Sequence, residues 1–202
     1  MARYGAKLPL VIGPSIAAVG FLLFALPGTE GSYWTTFFPA VVVQGLGMSL
    51  VIAPLTTTAM DSVEGQHSGL ASGVNNAVSR TAGLLAIAVL GIFVFAAFSS
   101  GLDGRMANLD LTSEQRATLE SEKVDLAGAE VPEGVGGETA AAVERAVDEA
   151  FVGAFRLAMF IAAGLAITSA LAAAILIEGK GQFEKPEESA ESGRGQSASA
   201  PA

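Results

Sequence analysis

A row of polar side chains crosses an apolar, membrane-length segment of this sequence. Ser72, Asn76 and Arg80 recur at every fourth position, and Asn75 and Ser79 lie beside them if the segment is helical. Amide and guanidinium groups are costly inside a bilayer unless they face protein or water. The row therefore indicates a polar path for a solute. A second interpretation of Arg80 stays open: it precedes the apolar run and could reach the lipid headgroups or serve a structural pairing.

Small residues form a second row beside the polar one, and they favour close contact between helix backbones. A similar pair of glycines occurs in the preceding apolar segment, next to Gln44. Gln44 is a candidate for the same path, with an interhelical hydrogen bond as the alternative. The candidates for the substrate path are Gln44, Asn75, Asn76 and Arg80, and those for helix packing are Gly45, Gly47, Gly69, Gly73 and Ala77.

The sequence holds no arrangement of residues typical of a catalytic centre. His67 is the single histidine and there is no cysteine, so neither a histidine-pair metal site nor a thiolate site can form. Gly45 and Gly47 begin a dinucleotide-binding pattern, but position 50 is leucine and no strand precedes them. We therefore expect no enzyme, no cofactor and no bound metal.

The composition is that of a membrane protein. The chain is 51% hydrophobic and 15% charged, with a mean hydropathy of +0.51, which is too apolar for an ordinary soluble domain. Twelve acidic and four basic residues fall within residues 100–150, so that segment accounts for nearly all of the net charge of −9. Without a basic patch to neutralise phosphates, nucleic acid is not an expected partner.

Four apolar segments are long enough to cross a bilayer, which takes about 20 helical residues. They predict an all-α integral membrane protein with four transmembrane helices. Prolines inside these segments are compatible with that prediction, because neighbouring helices can satisfy the freed carbonyls. The predicted spans are residues 8–27, 34–59, 69–98 and 151–177, of which the first three make up residues 1–99.

The first segment has an alternative interpretation as a signal peptide, since Arg3 and Lys7 precede its apolar run. That run is longer than the usual apolar core of a signal peptide. Ala25-Leu26-Pro27 also lacks the small-x-small pattern of a cleavage site. A retained transmembrane helix is favoured.

Two polar regions flank the last span. Residues 100–150 form an acidic insert, which we expect to be largely a solvated extracytoplasmic loop without a binding role. Within it, Thr112 and Gln115 resemble a capping box for a short helix over residues 113–123. Val143, Val147, Phe151 and Phe155 recur every fourth residue and predict an amphipathic extension of the last span. The tail, residues 178–202, is predicted to be disordered and cytoplasmic.

An even number of spans places both termini on one side of the membrane. Basic residues near the span ends favour that side being the cytoplasm, because Lys and Arg accumulate there. Those on the side of the termini are Arg3, Lys7, Arg80, Lys180 and Lys185, against Arg105, Arg145 and Arg156 on the other. The expected location is the plasma (inner) membrane, with the lipid bilayer as a partner.

The glycine and polar patterns together resemble the major facilitator superfamily, specifically the drug:proton antiporter branch with fourteen spans. The chain also opens with residues similar to the second half of that family's basic loop motif. One departure is that Leu84, Leu85 and Ile87 stand where the family often has glycines. The residues that carry the resemblance are Gln44 to Gly47, Pro54 to Thr56, Gly69 to Gly73, Asn75, Arg80 and Gly83.

The resemblance, which covers about residues 1–177, implies the C-terminal part of a multidrug efflux transporter. Its partners would be a small-molecule substrate, protons and the remaining N-terminal helices. In such a transporter the substrate cavity lies between those helices and this part. By itself the chain is not expected to transport. Two alternatives stay open: a small four-helix membrane scaffold or partner subunit, and a permease of an unrelated superfamily that shares only small-residue packing.

Overall fold

The computed structural model describes residues 7–29, 32–61, 67–132 and 134–177. Of the described residues, 87% are helical and none lies in a strand, which confirms the all-α prediction. A 3₁₀ segment, Lys123–Gly128, follows the fourth helix. The α-helices are α1 (Lys7–Phe24), α2 (Tyr33–Asp61), α3 (Ser68–Met106), α4 (Ser113–Glu122) and α5 (Gly137–Leu176).

Four of these helices, α1, α2, α3 and α5, are long and apolar enough to cross a membrane. The helices α3 and α5 contain 39 and 40 residues. At 1.5 Å per residue each is about 60 Å long, roughly twice the thickness of a hydrocarbon core. Both therefore continue beyond the predicted spans 69–98 and 151–177.

Helices α1 and α2 remain continuous through their prolines, Pro14 in α1 and Pro39 and Pro54 in α2. Around Pro54, two hydroxyl groups donate hydrogen bonds back along the helix. Thr56 Oγ1 lies 3.0 Å from the Ile52 carbonyl and Thr57 Oγ1 lies 2.8 Å from the Ala53 carbonyl. Such bonds keep the hydroxyl groups satisfied within the helix itself, as an apolar surrounding requires.

Helix α1 packs against both α2 and α5. The α1–α2 contact is so close that side chains are excluded from it. A Cβ atom on Gly47 would come within 2.5 Å of the Ala17 backbone nitrogen, and one on Gly20 within 2.9 Å of the Gln44 Cα. Glycine at these positions lets the two backbones touch.

The acidic insert has a hydrophobic core, contrary to the expectation of a largely solvated loop. Phe98 and Leu102 from α3, Leu119 from α4 and Val143 from α5 are completely buried together. Apolar residues that are far apart in the sequence meet because α3 and α5 both extend out of the membrane. We call this cluster the outer core; its other buried members are Met106, Leu111, Ala146, Val147, Ala150 and Ala154.

Two local predictions within this region are confirmed. Thr112 Oγ1 accepts a hydrogen bond from the Gln115 backbone N–H, and the Gln115 side chain accepts one from the Thr112 N–H, which completes the capping box of α4. The extension of the last span is also present, since α5 begins at Gly137 and buries Val143 and Val147. The predicted disordered tail, residues 178–202, lies outside the described residues.

Candidate functional site

The polar row lies along the membrane-embedded half of α3. Ser72 and Asn75 are half-buried, whereas Asn76 and Arg80 are exposed within this chain. Only 6% of the most apolar stretch of α3 is buried, against 33% for α1. The most apolar stretch of the four helices is thus the least buried, and Asn76 and Arg80 of the polar row are not covered by the rest of the described chain.

The packing candidates divide into two groups. Gly47 lies in the α1–α2 contact described above. In contrast, a Cβ atom on Gly45, Gly69 or Gly73 would meet no atom of the described chain within 4 Å, and Ala77 is exposed. The packing role of these four residues stays a prediction, one that needs a helix other than those described.

Arg80 lies well inside α3, away from the end of the helix that follows the acidic residues Asp61 and Glu64 in the sequence. Helix α3 begins at Ser68, so Arg80 lies twelve positions along it, about 18 Å from its start. That distance exceeds the length of an arginine side chain, so Arg80 does not reach the beginning of α3. Glu64 itself lies outside the described residues.

Gln44 lies in the contact between α1 and α2, opposite Gly20. Its Oε1 atom is buried and accepts no hydrogen bond from any described residue. The interhelical hydrogen bond considered for it is therefore not made through Oε1. A buried amide oxygen without a donor lowers the stability of the fold by about 1–3 kcal/mol. The side chain of Gln44 is therefore unfavourable for the packing of α1 against α2 by itself.

An arginine that the sequence suggested only as a flanking charge holds two helices together. Arg156 of α5 donates a hydrogen bond of 3.1 Å from Nη2 to the Pro27 carbonyl just beyond α1. Its Nε atom is buried without an acceptor in the described chain. Position 156, at the start of the last apolar run, was visible in the sequence, but its contact with residue 27 was not.

Lys123 is buried at the edge of the outer core, with 5% of its side chain exposed. Its ammonium group lies 2.6 Å from Asp103 Oδ1 and also contacts the carboxylate of Glu120. Burial alone lowers the pKa of Lys123, but the hydrogen bonds to Asp103 and Glu120 outweigh burial and raise that pKa. The ion pairs attach the 3₁₀ segment to α3.

A shallow groove of about 290 Å³ lies beside the outer core, between the outer ends of α3 and α5. Its charged side chains are Arg105, Arg145 and Glu149. Arg105 donates from Nε to Glu149 at 3.1 Å and from Nη1 to the Gly101 carbonyl at 2.9 Å. These bonds hold Arg105 against its own neighbours. Among the described residues, no three acidic, histidine or cysteine side chains are grouped as metal ligands would be.

Comparison with known proteins finds relatives that share one activity. The chain is 28% identical over 132 residues to the multidrug resistance protein Stp of Mycobacterium tuberculosis, covering 63% of this chain and 23% of Stp. It is 34% identical over 102 residues to the Probable actinorhodin transporter of Streptomyces coelicolor, covering 49% and 18%. The tetracenomycin C resistance and export protein of Streptomyces glaucescens is 24% identical over 192 residues, covering 93% and 35%.

The chain is related to multidrug and antibiotic exporters. These partial similarities to proteins of drug resistance and export confirm the resemblance to exporters noted in the sequence. No family model and no solved structure matches the chain.

The similarity to exporters, which are membrane proteins, and the length and apolar composition of the four helices together indicate that these helices lie in a lipid bilayer. The chain spans about a third or less of the length of these relatives. A face of α3 that meets nothing in the described chain is therefore the face where further helices of an exporter would be expected.

Proposed function

We propose that this chain is the C-terminal part of a multidrug efflux transporter that exports small molecules by proton antiport. The observation that carries the proposal is its relationship to three exporters, one of which aligns with 93% of this chain but with 35% of its own length. Placement at the C-terminal end and coupling to protons come from the sequence resemblance.

In this proposal the polar row of α3 lines the substrate path. Transporters of this superfamily bind substrate between two halves of a helical bundle. Asn76 and Arg80 are exposed and Ser72 is half-buried beside them, so a second half could enclose the row. Gln44 belongs to the α1–α2 contact instead and would act on the path through helix packing. No catalytic chemistry is required of any of these side chains.

The proposed orientation places both termini in the cytoplasm and the acidic insert outside. An aromatic cluster at the beginning of α2 consists of Tyr33, Trp34 and Phe38. The ring centroid of Trp34 lies 5.6 Å from that of Tyr33 and 5.3 Å from that of Phe38. Trp34 is 69% exposed. Exposed Trp and Tyr are typical of both membrane interfaces, which supports a position at the headgroups for this end of α2; in the proposed topology these are the outer headgroups of the plasma (inner) membrane.

Export is tested by dye accumulation in cells that express either residues 1–202 or the longest reading frame containing them. The longer protein should lower accumulation of a cationic dye such as ethidium, and a protonophore should abolish the effect. Residues 1–202 alone should not lower it. Export by residues 1–202 would contradict the partial-transporter proposal. Export that is insensitive to the protonophore would contradict proton coupling, and an inactive longer protein across a panel of drugs would contradict export.

Orientation is tested with single cysteines, because the chain contains none. An impermeant thiol reagent applied to intact cells should label Ser113→Cys in the insert but not Ser192→Cys in the tail. The reverse pattern would invert the topology. Labelling of both residues or of neither would contradict the placement of residues 113 and 192 on opposite sides of the membrane, with α5 as the one span between them.

A four-helix scaffold or partner subunit remains the second candidate, and one observation favours it. Helices α1, α2 and α5 pack together, and the outer core joins α3 to α5, without any other segment. The genomic sequence upstream of Met1 separates the two. In-frame coding sequence with further apolar spans supports the transporter, whereas a stop codon followed by a ribosome-binding site supports the scaffold.

A further inference from the structure

The levels of the two membrane surfaces can be placed on this bundle from its own contacts. The hydrogen bond from Arg156 to the Pro27 carbonyl puts Arg156, in the middle of α5, at the same height as the end of α1. From there the chain descends about 30 Å to Lys7 and about 32 Å along α5 to Ile177, the last residue before Glu178. Both uncharged runs match a hydrocarbon core of about 30 Å, so their ends mark its two surfaces.

The position of α3 between these surfaces follows from its contact with α5. A Cβ atom on Gly101 would lie 3.6 Å from the Ala150 Cα. The two helices run in opposite directions, so Arg156, six residues after Ala150, lies at the height of Phe95, six residues before Gly101. The outer surface therefore crosses α3 near Phe95.

Arg80 lies fifteen residues inward of Phe95, about 23 Å below the outer surface. It is thus about 7 Å inside the inner surface, at hydrocarbon depth. A tilt of α3 shortens the distance measured along the membrane normal and would move Arg80 closer to the midplane. The interpretation of Arg80 as a residue at the cytoplasmic edge rested on where its own apolar run begins, and the contact with α5 places it deeper.

Helix α2 gives an independent check on this register. The contact of Gly47 with Ala17 aligns Phe37 of α2 with Pro27 of α1. Asp61 at the end of α2 is then about 36 Å below the outer surface, and Ser68 at the beginning of α3 is about 41 Å below it. Both ends lie past the inner surface, by about 6 and about 11 Å, a difference that the six residues between the two helices can span.

A guanidinium at hydrocarbon depth needs an anionic partner or water, since desolvation of an isolated charge is costly. Within the four described helices, no Asp or Glu lies between the two surfaces. Arg80 is exposed within the described chain, and Ala77 and Gly83, three residues before and after it, leave room for a helix to approach.

We propose that Arg80 binds a carboxylate carried by a transmembrane helix from another part of the transporter, an inference that rests on the proposed function. Such a helix is available because the chain spans only 18–35% of the length of its relatives. An Asp or Glu side chain can occupy any depth in a helical bundle, and its two oxygens match the planar guanidinium in a bidentate pair. A lipid phosphate at the inner surface is the competing anion, because an extended arginine side chain can span the distance from this depth to the headgroups, and the experiments below separate the two.

Depth is measured first, with spin labels on single cysteines in the reconstituted chain. The label of Arg80→Cys should show the high oxygen and low polar-relaxant accessibility of the hydrocarbon layer. Labels of Lys7→Cys and Ile177→Cys mark the inner surface on the other helices. If the Arg80→Cys label has the same accessibility ratio as these two, Arg80 lies at the headgroups and the proposal is wrong.

The partner is identified in the longer protein, with membrane abundance and thermal stability as readouts, so that the result does not depend on export. Arg80→Gln should lower both, because it leaves the carboxylate buried without a cation, whereas Lys7→Gln, a cation at the inner surface, should change neither. Suppressor selection on Arg80→Gln should recover neutral substitutions of one Asp or Glu in another transmembrane helix. Suppressors that never remove an intramembrane acid, or stability that depends only on anionic lipid content, would overturn the proposal. If wild-type protein is stable but does not export, the proposed function fails and this test stands.

Discussion

Two glycine-rich helix faces in this chain have the same kind of sequence and different surroundings. On α2, Gly47 contacts the α1 backbone so closely that no side chain could be inserted. On α3, Gly69 and Gly73 face empty space within the described chain. Small residues at four-residue spacing predict that a helix can be approached, but they do not say by which helix. The difference separates a contact completed inside this chain from one that requires another segment.

The largest effect should come from filling the completed contact. Gly47→Leu is expected to destabilise the isolated chain by about 3 kcal/mol or more, because the added side chain meets backbone atoms that cannot move aside. Gly45→Leu is the matched control, on the same helix two residues away and with open space around it. The measurement is thermal unfolding in detergent. Equal losses for the two variants would show that the α1–α2 contact is not as close as described.

The incomplete contact should respond only when its partner is present. Gly73→Leu is expected to leave the stability of the isolated chain unchanged and to destabilise the longer transporter by about 1–3 kcal/mol. Gly69→Leu should behave in the same way. Thermal unfolding of both protein lengths measures the difference. If Gly73→Leu is harmless in the longer protein as well, α3 faces lipid and the comparison between the two glycine faces fails.

The connection between α1 and α5 should be the next most sensitive. Arg156→Ala removes the hydrogen bond to the Pro27 carbonyl and should cost about 1–2 kcal/mol. Arg145→Ala is a suitable control, because the Nε atom of Arg145 bonds only to the Ala141 carbonyl of its own helix. A loss in Arg145→Ala as large as that in Arg156→Ala would contradict a specific link between helices.

The smallest effect on stability is expected at Lys123, whose ion pair with Asp103 attaches the 3₁₀ segment to α3 beside the outer core. Lys123→Met should cost about 1 kcal/mol, because the side chains of Asp103 and Glu120 are 55% and 65% exposed and can be rehydrated. The folded-state pKa of Lys123 is raised, so its stabilisation is complete below its ordinary pKa of 10.5 and is lost as the pH rises through the higher folded value. The wild-type chain should therefore lose stability above pH 10.5 more steeply than Lys123→Met. Parallel pH curves for the two proteins would contradict a role for the ion pairs.

Local features of this fold could be predicted from the sequence, whereas its long-range contacts could not. The capping box at Thr112 and the buried faces of Val143 and Val147 depend on neighbours within one helix, and they are present as predicted. The outer core was missed because Phe98, Leu119 and Val143 are apolar residues in separate segments, and no local pattern says that they meet. Likewise, residues 27 and 156 are 129 positions apart, so their hydrogen bond leaves no signal in sequence spacing.

The same limit applies to the candidate site. Sequence spacing correctly grouped Ser72, Asn76 and Arg80 on one side of α3, since helical periodicity is a local property. The depth of Arg80 depends on how α3 is aligned with α5 through Gly101 and Ala150, which is a tertiary contact. Hydropathy alone placed Arg80 at the edge of its own apolar run.

Helix α3 is continuous over 39 residues and contains no proline. Its outer end is held in the outer core, and its inner half has few neighbours in this chain. Such a helix can move as a rigid rod that is anchored at one end. A rotation of a few degrees at the anchored end sweeps the inner end, with Arg80 and the polar row, through a much larger arc than the outer end. Motion at the end of α3 that carries Arg80 can thus be large while the acidic insert remains almost still.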